Sequence, residues 1–445
     1  MINKRELELL QAALIKLEEG TSGLPEFTPS FDEDAAAEVL FKVAERMQDN
    51  YPYYHPQYAG QMLKPPHPVA RMAYALSLWV NPNNHALDGG RASSAMEKEC
   101  IVELGRMFGW DAPLGHLAGG GTMANLEALW VSGRLHPEKR VIASEQAHYT
   151  HSRISEVLGI PFAAAPVDEY GRMDVAAVEA ELKKGDVGTI VVTIGNTGLG
   201  AVDPLPEILR LRDKYAFRIH ADAAYGGYFG IAAELDENPR SAFNVLGEVD
   251  SIVIDPHKHG LQPYGCGCVL FRDPSVGRLY KHDSPYTYFS SGDLHLGEIT
   301  LECSRPGASA VALWATQQLL PLEPNGEFAA GLDSCLRAAR MFWQKLHNGS
   351  TFTPLMRPEL DIVVYAVNAA TTSESSVKAR QVFVEAAKRE LHLALIELPV
   401  DVVSRYAPEI DADSETVTCL RSVLMKPEHE NWLKRITALL EASAV

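Results

Sequence analysis

The stretch Asp255–Gly260, DPHKHG, follows the apolar run Ser251–Ile254 and sets Lys258 between two histidines at the end of what reads as a buried strand. An ammonium is costly to bury, so a lysine in that position needs chemical work to justify it. It can serve as a solvated charge, a nucleic-acid contact or a reactive amine. The formal net charge of −18 over 445 residues weighs against a grip on phosphate backbones or anionic membranes. Locally, the only basic neighbours of Lys258 are His257 and His259.

Three further stretches carry residues suited to chemistry. In GGGTMANLEALWVSGRL, Gly119–Leu135, a glycine run and Thr122 open a helix. Free amides at such a helix start, with a threonine hydroxyl, make a phosphate cradle, although a plain glycine turn with a threonine cap has the same pattern. In HADAAYGG, His220–Gly227, Asp222 closes an apolar strand, where a buried carboxylate needs a cation or several donors. In SEQAHYTH, His148 follows the strand-like RVIAS. Read singly, Asp222 is a turn cap and His148 a surface histidine. Together, a phosphate cradle, a flat side chain, a strand-end carboxylate and a later lysine match what pyridoxal phosphate requires. The carboxylate would keep the ring nitrogen protonated, so that the ring accepts electrons from a developing carbanion.

The elements that must position these residues follow from the pattern. Apolar β-branched runs at RVIAS, TIVVTIG, FRIHADAA, SIVIDPH and GCVLFRD alternate with helical segments such as DVAAVEAELKKG and PLPEILRLRDKY. That alternation predicts an α/β fold, a mostly parallel sheet covered by helices, with sites at the carboxyl ends of its strands. We divide the chain into an N-terminal helical arm (1–60), a large domain (61–322) and a smaller α+β C-terminal domain (323–445). A hydrophobic content of 46% and a charged content of 22% are ordinary for a globular protein. The N-terminus is charged and amphipathic, no apolar run spans a membrane, and the six scattered cysteines suit reduced thiols, so a cytoplasmic setting is expected. Cys266 and Cys268 would share one strand face without further soft ligands, which favours packing over a metal site.

The whole set, in this order, resembles the group II pyridoxal-phosphate-dependent amino acid decarboxylases of the fold type I architecture. HPQYAGQM, NPNNHALDGGRASSAMEKECIVELGRMFG, GGGTMANLEAL, SEQAHYTHSR, GNTGLGAVDPL, HADAAYGGYF, DSIVIDPHKHG and SRPGASAVALW carry the resemblance, dense from about His55 to Ala315. In pattern it is closest to the short archaeal tyrosine/aspartate decarboxylases. The resemblance implies that Lys258 forms the internal aldimine, with His257 near the cofactor phosphate and Gly120, Gly121 and Thr122 holding it. His148 would stack on the ring, Ala224 would pack on the opposite face, Asp222 would pair with the ring nitrogen, and Thr197 would approach the phenolic oxygen or that Asp.

The family also has a mobile loop whose tyrosine protonates the substrate carbon. In HDSPYTYFSSGD this is Tyr288, with Tyr286 the alternative. Arg305, His55 and Gln57, with Gln61, are the expected substrate-side residues, and Arg305 has bracing of a dimer interface as its other reading. The implied activity is decarboxylation of an L-amino acid to its amine. A carbon–carbon lyase of the sphingosine-phosphate-lyase type and an aldehyde-forming oxidative decarboxylase use the same framework. A homodimer with no nucleic-acid or membrane partner is expected. Gly119 stands where many members have serine, Met123 where an acidic residue is common, and His259 where an aromatic is frequent.

Overall fold

The computed structural model describes residues 3–25, 27–281 and 294–444. Seven strands build the larger sheet: β1 (Leu114–Ala118), β2 (Arg140–Ser144), β3 (Phe162–Ala165), β4 (Val187–Thr193), β5 (Arg218–Asp222), β6 (Ser251–Ile254) and β7 (Gly267–Phe271). Their order is β1-β7-β6-β5-β4-β2-β3. The pairs from β6 to β3 are parallel, and β7 runs against both its neighbours. Every residue of β4 and β6 is buried, as helix cover on both faces demands of a central parallel strand.

The sequence pattern misses two strands of this sheet. β1, LGHLA, interrupts its apolar run with Gly115 and His116, a histidine made acceptable by the buried Glu127 at 2.9 Å. β3 is FAAA, and alanine has weak strand preference. Pairing with β7 and β2 decides both.

The helices up to the site are α1 (Lys4–Glu18), α2 (Glu33–Met47), α3 (Pro68–Ser77), α4 (Leu87–Met107), α5 (Gly121–Leu135) and α6 (Thr150–Leu158). α5 buries Ala124, Ala128, Leu129 and Val131, and its small residues let the helix lie close on β6 and β7. Fully burying Leu129 or Val131 contributes about 1.5–3 kcal/mol each. By contrast, α1 and α2 bury no residue, and Leu40, Phe41 and Met47 of α2 are 65%, 70% and 62% exposed.

After the site come α7 (Val175–Leu182), α8 (Leu205–Leu211), α9 (Glu237–Asn244), α10 (Ala308–Leu319), α11 (Glu327–His347), α12 (Thr372–Lys388), α13 (Val400–Ser404) and α14 (His429–Ser443). A second, antiparallel sheet has the order β10-β11-β9-β8, with β8 (Phe352–Pro354), β9 (Ile362–Val367), β10 (Ala394–Pro399) and β11 (Thr416–Val423). One apolar cluster runs from Ile190, Ile219 and Ile252 of the large sheet to Leu360, Ile362 and Val423 beside the small one. The two sheets therefore share a core. Among the described residues no helix is long and apolar enough to cross a membrane, and no cluster of three or more potential metal-ligating side chains occurs.

Candidate active site

The carboxyl ends of β4, β5 and β6 meet the amino end of α5 around a cavity of about 300 Å³. Gly120, Gly121 and Thr122 form one wall. Gly120 takes φ +152°, a conformation open to glycine. A β-carbon on Gly267 of β7 would come within 2.4 Å of the Gly120 carbonyl carbon, so the turn passes over the sheet only because both are bare. α5 then starts without a side-chain cap, which leaves its first amides and its positive dipole end for an anion.

Asp222, at the end of β5, lines the cavity and is 5% exposed. Its Oδ2 accepts a hydrogen bond from His151 Nε2 at 2.8 Å and one from Asn125 Nδ2 at 3.4 Å, and its Oδ1 accepts from the Ala224 amide at 3.2 Å. Burial alone would push the carboxyl up. The His151 hydrogen bond, with the charges of His151 and Lys258, outweighs it and holds the group well below the usual carboxylate range. Asn125 is in turn oriented by His220, whose Nε2 donates to Asn125 Oδ1 at 2.8 Å while Nδ1 accepts from Ser251 Oγ at 2.9 Å. Burial pushes His220 down to about 3, so it stays neutral and keeps that tautomer.

Lys258 follows β6, and its Nζ lies 3.1 Å from Asp255 Oδ2. Asp255 sits under the glycine turn, where a β-carbon on Gly121 would meet its Oδ2 at 2.8 Å. His257 Nδ1 donates to the Cys266 carbonyl at 2.8 Å, which turns Nε2 toward Asp255 at 3.6 Å. His148 is held at Nδ1 by the Thr150 hydroxyl at 2.8 Å, and burial is the largest influence lowering its pKa. Ala224 and Thr197 also line the cavity, and buried Arg421 of β11 donates to the Thr197 carbonyl at 2.6 Å and to that of Gly198 at 3.1 Å. The small sheet thus fixes one wall of the site.

None of the expected substrate-side residues Arg305, His55, Gln57 and Gln61 lines this cavity. Both ends of the Gln57 amide are used, by the Glu390 carbonyl at 3.0 Å and by Arg435 Nε at 2.7 Å. His55 packs edge-on against Trp432 of α14, with ring centroids 4.9 Å apart. Arg305 is 5% exposed and bound to Glu97 Oε1 at 2.9 Å and to the Leu117 carbonyl, so within this chain it braces β1 against α4. Tyr286 and Tyr288 lie outside the described residues. Sequence reasoning passed over His151, Asn125 and Asp255. His151 stands three residues after His148, in the first turn of α6.

Residues 130–368 match the family model described as the pyridoxal-dependent decarboxylase conserved domain. A probable L-tyrosine/L-aspartate decarboxylase of Methanothermobacter thermautotrophicus is 31% identical over 315 residues, covering 69% of this chain and 82% of the relative. The chain belongs to the pyridoxal-dependent decarboxylase family. A probable L-tyrosine/L-aspartate decarboxylase of Methanocella arvoryzae is 27% identical across 84% of this chain and 96% of its own length. The L-aspartate decarboxylase of Thermococcus kodakarensis is 30% identical across 77% and 88%. The fold is that of the crystal structure of Oryza sativa TDC with PLP and tryptamine, with a TM-score of 0.80 at 15% identity, covering 100% of this chain and 98% of that one.

This decarboxylase is therefore a pyridoxal-phosphate-dependent enzyme acting on amino acids. The cavity fits that cofactor on its own evidence. An uncapped helix end suits its phosphate and a buried ionised carboxylate suits its ring nitrogen. The Thr193 hydroxyl lines the same cavity, buried and without a hydrogen-bond partner.

Proposed function

We propose that this enzyme releases the α-carboxylate of an L-amino acid as carbon dioxide and yields the corresponding amine, with Lys258 as the amine that carries the cofactor. The observation that supports it is the convergence in one cavity of the Lys258 amine, the ionised Asp222 and the uncapped start of α5. When bound, pyridoxal phosphate supplies an aromatic ring that takes up the electron pair left by the departing carboxylate.

The chain's own groups do the rest. The amides of Gly120 and Gly121 and the Thr122 hydroxyl hold the phosphate, with His257 beside it. Asp222, kept ionised by His151, holds the proton on the ring nitrogen. His148 and Ala224 would confine the ring from its two faces and Thr197 would approach its phenolic oxygen or Asp222, which would hold the scissile bond in one orientation. Tyr288, with Tyr286 as the alternative, returns the proton to the α-carbon. Tyrosine and aspartate are the first substrates to test, because relatives carry those names.

The enzyme works as a homodimer in this reading. Supporting it, α2 buries none of its residues within the chain and exposes Leu40, Phe41 and Met47, a face that a second copy would cover. Six free thiols, five of them buried, support a reducing cytoplasmic setting.

A carbon dioxide release screen over the twenty amino acids tests the reaction, with Tyr288→Phe run beside the wild type. Release with stoichiometric amine from one or a few substrates is expected, and so is loss of amine in the variant. Aldehyde in place of amine from the wild type would sink the assignment.

A further inference from the structure

The turn that carries Lys258 has a second side. His257 and Lys258 line the cavity described above, whereas His259 and Leu261 line another of about 470 Å³. Pro65, Pro66, Phe328 and Leu332 give this second cavity apolar walls, and Lys64 and Lys426 reach it. The Lys426 ammonium donates to the carbonyls of Tyr58 at 2.7 Å and Leu63 at 3.3 Å, and Lys64 donates to the Met425 carbonyl at 3.2 Å. Both have donors to spare, and neither ammonium has a carboxylate oxygen within ion-pair distance among the described residues. Glu327 and Glu428 line the cavity too. Burial, and then the mutual repulsion of the two lysines, pushes Lys426 down to about 7.

His259, which stands where the family resemblance has a frequent aromatic, lines the second cavity and packs edge-on against Tyr225, with ring centroids 4.9 Å apart. It is fully buried, its Nε2 stands 3.2 Å from Asp361 Oδ2 as an ion-pair contact, and neither ring nitrogen has a hydrogen-bond partner. The other oxygen of Asp361 accepts from the hydroxyl of Tyr225, which lines the cofactor cavity. Two residues beyond His259, Leu261 sits at φ +64°, and its carbonyl accepts the His67 amide at 2.9 Å. A left-handed leucine is a backbone position that surrounding packing must hold in place.

From this arrangement we infer that the second cavity binds a small organic carboxylate with an apolar body, and that His259, Asp361 and Tyr225 transmit its occupancy to the cofactor cavity. The carboxylate meets the Lys64 and Lys426 ammonium groups, and the apolar body covers the proline and leucine walls. The volume falls in the range of small-molecule sites. A ligand that draws His259 toward itself lengthens its 3.2 Å contact with Asp361, and Asp361 also positions Tyr225. Ligand and catalytic cavity then bias one shared element, which is the physical requirement for coupling.

Calorimetric titration of the holoenzyme with 3-phenylpropionate and with its neutral counterpart 3-phenylpropan-1-ol tests the site. The acid should bind at least tenfold more tightly than the alcohol, and Lys64→Met should erase that preference. Ala330→Trp, at an exposed position on the cavity rim, should weaken acid binding at least tenfold. Equal affinity for the two probes overturns the site, and so does undiminished binding to Ala330→Trp, which would place the acid in the catalytic cavity. Acid binding should also shift the pH profile of the cofactor absorbance, and His259→Phe should abolish that shift. Binding with an unmoved profile overturns the coupling.

Discussion

His151 Nε2 lies 2.8 Å from Asp222 Oδ2, with the two side chains 1% and 6% exposed. A carboxylate so deeply buried would be driven toward its neutral form without such a donor. His151 therefore acts through Asp222: it keeps ionised the group that faces the cofactor cavity.

Removing that donor should weaken cofactor binding. A hydrogen bond to a charged group contributes roughly 1.5–3 kcal/mol, so His151→Leu is expected to lose about ten- to a hundredfold in affinity for pyridoxal phosphate. His151→Gln, which can still donate, should recover part of it. Equilibrium dialysis of each variant against the cofactor measures this. Wild-type affinity in the leucine variant would show that Asn125 and the Ala224 amide suffice.

Buried histidines should cost stability on mild acidification. His220 and His429 are buried, and burial is the largest cause holding each at about 3, below the ordinary 6.5. Between those values the unfolded chain binds more protons than the folded one, so stability is lost as pH drops below about 6.5. Down to pH 5 each histidine contributes at most about 2 kcal/mol to the loss. Asp222 acts in the same direction at lower pH: its folded value lies below the ordinary carboxylate range, so its contribution is lost as pH falls through that folded value. Asp203, raised to about 7 by burial, acts with the opposite sign over the same range, so the test is comparative. Between pH 7 and pH 5 the urea midpoint of His220→Asn should fall less than that of the wild type, and an equal change in the two would contradict this.

The site was legible in the sequence where chemistry sits at strand ends. Lys258, Asp222 and His148 each follow a β-branched run, and in the fold all three line one cavity. The partners were not legible, because contacts such as His151 to Asp222 and Asn125 to His220 join residues about seventy to a hundred positions apart. The placement of Gln57 and His55 away from the cavity was hidden for the same reason. Their partners Arg435 and Trp432 lie near the far end of the chain, and no local pattern announces them. β1 and β3 were hidden because pairing, not residue preference, makes them strands.

Arg305 is expected to matter for stability before it matters for substrate. Its guanidinium and Glu97 form a buried pair, and breaking such a pair from one side costs about 3–5 kcal/mol. Arg305→Met should lower the midpoint of thermal unfolding by many degrees, while KM for the substrate stays within a few-fold in whatever folded enzyme remains. A large rise in KM at unchanged stability would return Arg305 to the substrate side.

Whether Lys258 carries the cofactor can be read from the protein itself. The holoenzyme is reduced with borohydride, digested, and mapped by mass spectrometry. One stoichiometric pyridoxyl adduct is expected on the peptide that contains Lys258, and none in Lys258→Ala. An adduct on another lysine, or no stable adduct from a holoenzyme that turns over, would contradict it.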